Sequence, residues 1–246
     1  EVIAYHEGGH AVLAYVLEHA DPVHKVTILP TGMALGVTQQ LPIAERHIYK
    51  REYIEDSLVV RLGGRLAEEI VYNTSSTGAN NDLVGCTELA RKMVREWGMS
   101  DRIGPMAWGS QGAVFLGEDL MHTRDYSDDT ARVIDEEVER ILREQEERGR
   151  RVLRQHRRGL DAVAAALLEH ETIDGEEVGR LVDDAAGRRV GGSRRIPRHE
   201  HEPEAEQAAV RPASMAPVAE PQDDDAAERA ALRTPPRPRP RPAEST

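Results

Sequence analysis

The sequence predicts a mainly α-helical domain with one small β-sheet, a hairpin, followed by a tail that does not fold. Three observations lead there. Apolar residues recur at helical spacing through most of residues 1–187. Two short apolar runs flank a turn signal only at Pro30-Thr31-Gly32. From Arg188 onward there is no Phe, Trp or Tyr, and 10 of the 14 prolines fall there. Such a stretch has too little apolar surface to offset chain entropy, so 188–246 is read as disordered.

Each element follows from its own residues. Residues 1–18 read as a helix with Ala4, Ala11, Val12, Tyr15 and Val16 available for burial, ended by Asp21-Pro22. Gly8 and Gly9 cost about 1 kcal/mol each relative to alanine in a helix interior, and their missing side chains would let another backbone approach closely. Residues 23–29 and 34–41 read as two short strands around the turn. Leu58, Leu62, Leu66 and Ile70 repeat every four residues within a long helix predicted over 46–72. Ser75-Ser76-Thr77-Gly78-Ala79-Asn80-Asn81 makes 73–81 a loop, feeding a helix over 82–97 that Gly98 stops. Residues 99–126 read as loop with minor strand near 113–116. Ser127 is placed as an N-cap, with Asp128 and Asp129 at the positive end of a helix reaching about 156. A further helix covers 160–169, and Asp174 with Glu177 forms a capping-box-like pair that opens a last helix to about 184.

Composition removes several function classes. The tail carries 11 Arg against 10 acidic residues, a net of +1, so residues 1–187 carry −13 (21 basic minus 34 acidic) and hold all of the overall −12. An acidic domain is a poor generic nucleic-acid binder. Cys86 is the one cysteine, which excludes an intrachain disulfide and a cysteine-built zinc site and fits a reducing compartment. No run approaches the roughly 18 apolar residues of a membrane span, and no signal peptide opens the chain. Because the sequence starts without Met and inside a helix, it is read as the C-terminal, soluble piece of a longer polypeptide.

The chemistry concentrates in His6-Glu7-Gly8-Gly9-His10. Two histidines four apart on a helix project from one face, roughly 6 Å apart along the axis, and both can reach one metal ion. The glutamate between them can take a proton from metal-bound water, which is the H-E-x-x-H arrangement of zinc peptidases. A charged helix face with two surface histidines is the bland alternative. The apolar, glycine-containing surroundings disfavour it, and so does the hairpin that follows, since an edge strand can hold an extended peptide by main-chain pairing. A third protein ligand is required, and Leu13 and Val16 stand where a third-histidine motif would place Gly and His. Carboxylates remain: Glu68 and Glu69 on the long helix, or Asp82 where the loop meets the next helix. Spacing alone does not choose between them.

Several ordered blocks resemble the FtsH family of ATP-dependent, membrane-anchored metalloproteases. They are His6 to His10, Asp21-Pro22-Val23-His24-Lys25-Val26-Thr27-Ile28, Ala34-Leu35-Gly36-Val37-Thr38, Gly63-Gly64-Arg65-Leu66-Ala67-Glu68-Glu69, and Ser76-Thr77-Gly78-Ala79-Asn80-Asn81-Asp82-Leu83. Gly104-Pro105 and Ser127-Asp128-Asp129-Thr130-Ala131 continue the order, and the similarity covers roughly residues 1–185. The resemblance implies a helical zinc-metallopeptidase domain over 1–187 with one Zn2+ held by His6, His10 and Asp82, and Glu7 as general base. Glu68 and Glu69 then become candidates for orienting an imidazole by hydrogen bonding. The family usually has Ala where this chain has Gly8, a change that removes no ligand but loosens the helix.

The same resemblance implies a zinc-dependent endopeptidase that hydrolyses unfolded, misfolded or membrane proteins. It also implies a homohexamer at the cytoplasmic face of the cell membrane, with membrane anchor and ATPase module upstream. This chain has no G-x-x-x-x-G-K-(S/T) loop, and its lysines are Lys25, Lys50 and Lys92, so ATP would act only through that upstream module. Zinc would polarise the scissile carbonyl and acidify its bound water towards about 7, with Glu7 taking the proton and later giving it to the leaving amine. Leu35, Gly36, Val37 and Thr38 are the candidates for holding substrate by backbone pairing. The rival reading is a catalytically silent zinc-containing assembly module of the hexameric ring.

The tail run from Arg233 to Pro242 favours polyproline II and could meet a proline-recognition groove, an acidic surface or anionic lipid, but is read as a solvated tail. His19, His24, His47, His122 and His156 lack partners at ligand spacing and are assigned surface or packing roles. Cys86 reads as a small buried residue, and Trp97 and Trp108 as core or interface anchors.

Overall fold

The computed structural model describes residues 1–30, 32, 35–42, 48–108 and 126–192. Among these, six α-helices and a three-stranded antiparallel sheet occur in the order α1 (Val2–Val16), β1 (Val23–Thr27), β2 (Val37–Gln40), α2 (Arg51–Tyr72), a 3-10 turn (Thr77–Ala79), α3 (Asn80–Arg95), α4 (Asp128–Gln155), α5 (Arg157–His170), β3 (Thr172–Asp174) and α6 (Gly175–Ala186). The predicted mainly helical class with a small sheet is what is observed. The described residues belong to one unit, Glu1–Pro197. From 193 onward the predicted tail lies outside the described residues, as do 109–125 with the minor strand expected there.

Helix α1 is the centre of the fold. Ala4 and the run from Glu7 to Ala14 are all buried, so this helix is covered on nearly every side, as a helix apolar all round must be. It packs on α2, α5 and the sheet. At the crossing with α2, a β-carbon on Gly9 would lie 2.2 Å from the carbonyl oxygen of Gly63, and one on Gly63 would lie 2.8 Å from that of Gly9. The two backbones therefore touch, and only glycine permits it. Gly8 instead faces α5, where an added β-carbon would meet Leu160 Cδ1 at 3.3 Å and Val163 Cγ1 at 3.6 Å.

Leu58, Leu62 and Leu66 of α2 are buried, as their periodicity predicts, and Ile70 packs partly buried beside them. Helix α2 begins at Arg51 rather than 46; Ile48 to Lys50 are not helical, and 43–47 lie outside the described residues. Buried Asp56 accepts from the His19 backbone N–H and the Arg148 guanidinium, joining α2 to the chain after α1 and to α4. Helix α2 ends at Asn73, left-handed with φ 55°, a conformation that asparagine tolerates better than most residues.

The predicted caps are present. Ser127 Oγ accepts the Thr130 N–H at 3.2 Å. Asp174 Oδ1 accepts the Glu177 N–H at 2.8 Å, while the Glu177 carboxylate turns to Arg180; half of a capping box is made. In the sheet, β1 pairs with β2 in the register Val26↔Thr38 and Thr27↔Val37, and on its other side with β3 through Val26↔Ile173. The order β2-β1-β3 leaves β2 as an edge strand. Strand β3 was not foreseen. No described helix is long and apolar enough to cross a membrane.

Candidate metal centre

Helical geometry puts His6 and His10 one turn apart on α1, with ring centroids 4.9 Å apart and planes nearly perpendicular at 74°. The outward nitrogens of both rings meet the same atom: His6 Nε2 and His10 Nε2 each lie 3.4 Å from Asp82 Oδ2. Asp82 arrives on the first turn of α3, where a carboxylate is favoured by the helix dipole. These three side chains form the one metal-competent cluster of His, Cys, Asp or Glu among the described residues.

The opposite nitrogens are engaged elsewhere. His6 Nδ1 bonds Glu68 Oε1 at 2.7 Å, and His10 Nδ1 bonds the Val60 carbonyl at 2.7 Å. Both acceptors lack protons, so both Nδ1 atoms must donate. In the neutral rings the Nε2 lone pairs are then left to face Asp82. Glu68 is itself held by the Ser76 N–H at 2.6 Å and the Ser76 hydroxyl at 3.0 Å, and is 2% exposed. Gly64 makes room for the rings: a β-carbon there would sit 2.4 Å from His6 Nε2 and 2.6 Å from His10 Nε2.

This arrangement fits zinc. Two imidazole nitrogens and one carboxylate oxygen are a zinc donor set with a fourth position left open. The 3.4 Å N···O separations exceed ordinary hydrogen bonds and match the roughly 3.3–3.4 Å edge of a tetrahedron with bonds near 2.0–2.1 Å. The charges of the three side chains are coupled. Burial disfavours the cationic form of His6, but the adjacent carboxylates of Asp82 and Glu68 outweigh it and raise the pKa to about 8. Burial also opposes charge on Asp82, yet the adjacent His10 and His6 rings hold its carboxyl well below the usual range.

Glu7, between the two histidines, is 7% exposed. Its Oε2 accepts the Thr38 hydroxyl at 2.7 Å from β2. Gly36 lies against the same side chain, since a β-carbon there would be 2.9 Å from Glu7 Cγ and Oε1. The hairpin therefore packs directly on the glutamate.

A family model of peptidase family M41 matches residues 1–181. The chain belongs to peptidase family M41. It is similar to the "ATP-dependent zinc metalloprotease FtsH" of Acidimicrobium ferrooxidans, 73% identical over 199 residues that cover 80% of this chain and 30% of that protein. The protein of the same name from Acidothermus cellulolyticus is 51% identical over 181 residues, 73% of this chain and 27% of its own length. That of Bacillus subtilis is 45% identical over 184 residues, 74% of this chain and 29% of its own. The chain thus spans under a third of these M41 relatives.

Within this M41 site, the predicted residues divide clearly. His6, His10 and Asp82 converge. Glu68 reaches His6, whereas Glu69, one residue on, points away to Arg65 and Arg150 and lines a polar cleft of about 420 Å³ with Arg150 and Arg154. Leu35 is 63% exposed, Gly36 contacts Glu7, and Val37 and Thr38 lie in β2. Three contacts carry no signal in the sequence: Ser76, which steadies His6 through Glu68, the Val60 carbonyl, which holds the His10 ring directly, and the bond between Thr38 and Glu7. Cys86 is buried, its thiol pushed up to about 12 by burial, in keeping with a packing role. Trp97 is 40% exposed and so no core residue, while Trp108 packs partly buried against Tyr126.

Proposed function

We propose that this chain is the peptidase part of a zinc-dependent endopeptidase that hydrolyses unfolded or misfolded polypeptides. The observation that carries the reading is the meeting of His6 Nε2, His10 Nε2 and Asp82 Oδ2 with both Nδ1 atoms already committed. Zinc, when bound, supplies a Lewis acid that polarises the scissile carbonyl and acidifies water. The chain's own residues do the rest. His6, His10 and Asp82 hold the ion, and Glu68 and Val60 orient the two rings. Glu7 accepts the proton of the attacking water and returns it to the leaving amine. Edge strand β2 binds the extended substrate by backbone pairing, which reads no side chains and tolerates many sequences.

The printed names of the relatives, and the small share of their length that this chain spans, support delivery of substrate by an ATPase module elsewhere in the full-length protein. A homohexameric ring at the cytoplasmic face of the cell membrane, anchored by another segment and acting also on membrane proteins, belongs to the same proposal. A buried, hydrogen-bonded Glu7 beside the histidines favours catalysis over a silent zinc-containing assembly module. The test is Glu7→Gln in the full-length protein with an unfolded polypeptide as substrate. Zinc content should stay stoichiometric while cleavage falls by about 10²–10⁴-fold, the worth of a positioned acid–base group. Retained cleavage would remove Glu7 from its role.

A further inference from the structure

We propose that Thr38 is a positioning residue for Glu7: its hydroxyl fixes the proton-accepting carboxylate and ties it to the edge strand that receives substrate. This rests on the reading of Glu7 as the base. The Thr38 hydroxyl oxygen lies 2.7 Å from Glu7 Oε2 and 3.1 Å from the Glu7 carbonyl oxygen. A hydroxyl has one proton to give, and the bond to a carboxylate is both the shorter here and the stronger in kind. The carboxylate is therefore the main acceptor. No described residue hydrogen-bonds Oε1, so one oxygen is anchored and the other is left to exchange a proton.

Two further features make this an orientation device rather than an incidental contact. Glutamate has a long, rotamer-rich side chain whose ordering is entropically costly. The Thr38 bond and the close face of Gly36, where a β-carbon would press on Glu7 Cγ and Oε1 at 2.9 Å, impose that order before substrate arrives. Secondly, Thr38 is a residue of β2, paired with Val26 of β1 on one side, while on its other side β2 is a sheet edge among the described residues. A peptide backbone added at that edge is held by the same strand that holds the base. Scissile bond and proton acceptor thus share one frame, and a displacement near 1 Å between them is enough to cost about 100-fold in rate.

The test compares Thr38→Val, Thr38→Ser and Glu7→Gln in the full-length, zinc-loaded protein, with an unfolded fluorescent polypeptide as substrate. Thr38→Val is nearly isosteric and suits a strand. It should keep zinc and KM while kcat falls about 10–100-fold. Thr38→Ser, which retains the hydroxyl, should restore kcat to within about threefold of wild type. The double variant Glu7→Gln with Thr38→Val should be no slower than Glu7→Gln alone. Wild-type kcat in Thr38→Val, with Glu7→Gln inactive, overturns the role of Thr38 and leaves that of Glu7 standing. Full activity in Glu7→Gln overturns both. Serine and valine variants that are equally slow reduce Thr38 to packing and overturn the proposal. If Thr38→Val does not fold, Thr38→Ala takes its place: a slow alanine beside a near-normal serine upholds the proposal, and any other pattern overturns it.

Discussion

Two pairs of side chains, each four residues apart on a helix, do opposite things in this molecule. Glu139 and Arg143 on α4 pair at 2.8 Å, with exposures of 61% and 72%. His6 and His10 on α1 are 12% and 10% exposed; their rings stand edge to face, and their Nε2 atoms meet a carboxylate from another helix. Equal spacing thus yields a screened surface ion pair in one place and a metal-competent cluster in the other. What separates them is burial together with the capture of the reverse atoms: Glu68 and Val60 hold the back of each imidazole, whereas Arg143 is free to rearrange in water. Reactivity here is a property of the shell around the motif.

The contrast is broken most completely by Asp82→Ala. With one ligand gone, zinc should be lost on dialysis and cleavage should vanish, measured by metal content and by turnover of an unfolded polypeptide. The effect should exceed that of any change further out. Glu68→Gln comes next. It keeps the shape but weakens the bond to His6, and should lower zinc affinity about 10–100-fold, as removal of outer partners of metal ligands does, read by competition with a chelator.

A pH titration of the metal-free protein sharpens the same contrast. His6 has its pKa raised from 6.5 to about 8 in the fold, so its contribution is fully present below 6.5 and lost as the pH rises through about 8. The size is about 2 kcal/mol, visible as a falling denaturation midpoint over that window. Asp82, depressed from 3.8, contributes the other way: its share is present above 3.8 and disappears in acid. Zinc must displace the His6 proton below about pH 8, so zinc affinity should fall with falling pH although the apoprotein gains stability. Smallest of all, Arg143→Ala should leave zinc content and Tm within measurement error, because an exposed pair of this kind contributes little.

Much of this was legible in the residues, for physical reasons. The four-residue leucine repeat of α2 and the caps at Ser127 and Asp174 are local signals, and the elements they mark are present. The convergence of His6, His10 and Asp82 is long-range, and spacing left three carboxylates open until the ordered blocks of the family pointed to Asp82. Glu68 and Glu69 could have been separated by one feature: Glu68 follows Gly64 by four residues, on the face cleared for the imidazoles, while Glu69 follows Arg65 and pairs with it. Strand β3 is three residues long and pairs with a strand far away in sequence, too short for any periodicity. Val60 acts through its carbonyl, which no side-chain pattern reports. The early start assigned to α2 failed because polar Lys50 and apolar Ile48-Tyr49 continue a helix-compatible composition with no stop signal before Arg51.

Ser76 has a consequence for how the centre comes together. Its N–H and hydroxyl grip Glu68, and six residues later the same segment delivers Asp82. Loosening that segment would strip the rear support of His6 and withdraw the carboxylate in one movement. If His6, His10 and Asp82 hold zinc as proposed, ion binding and ordering of the α2–α3 connection are coupled, and resistance of that connection to proteolytic nicking should rise and fall with ion occupancy.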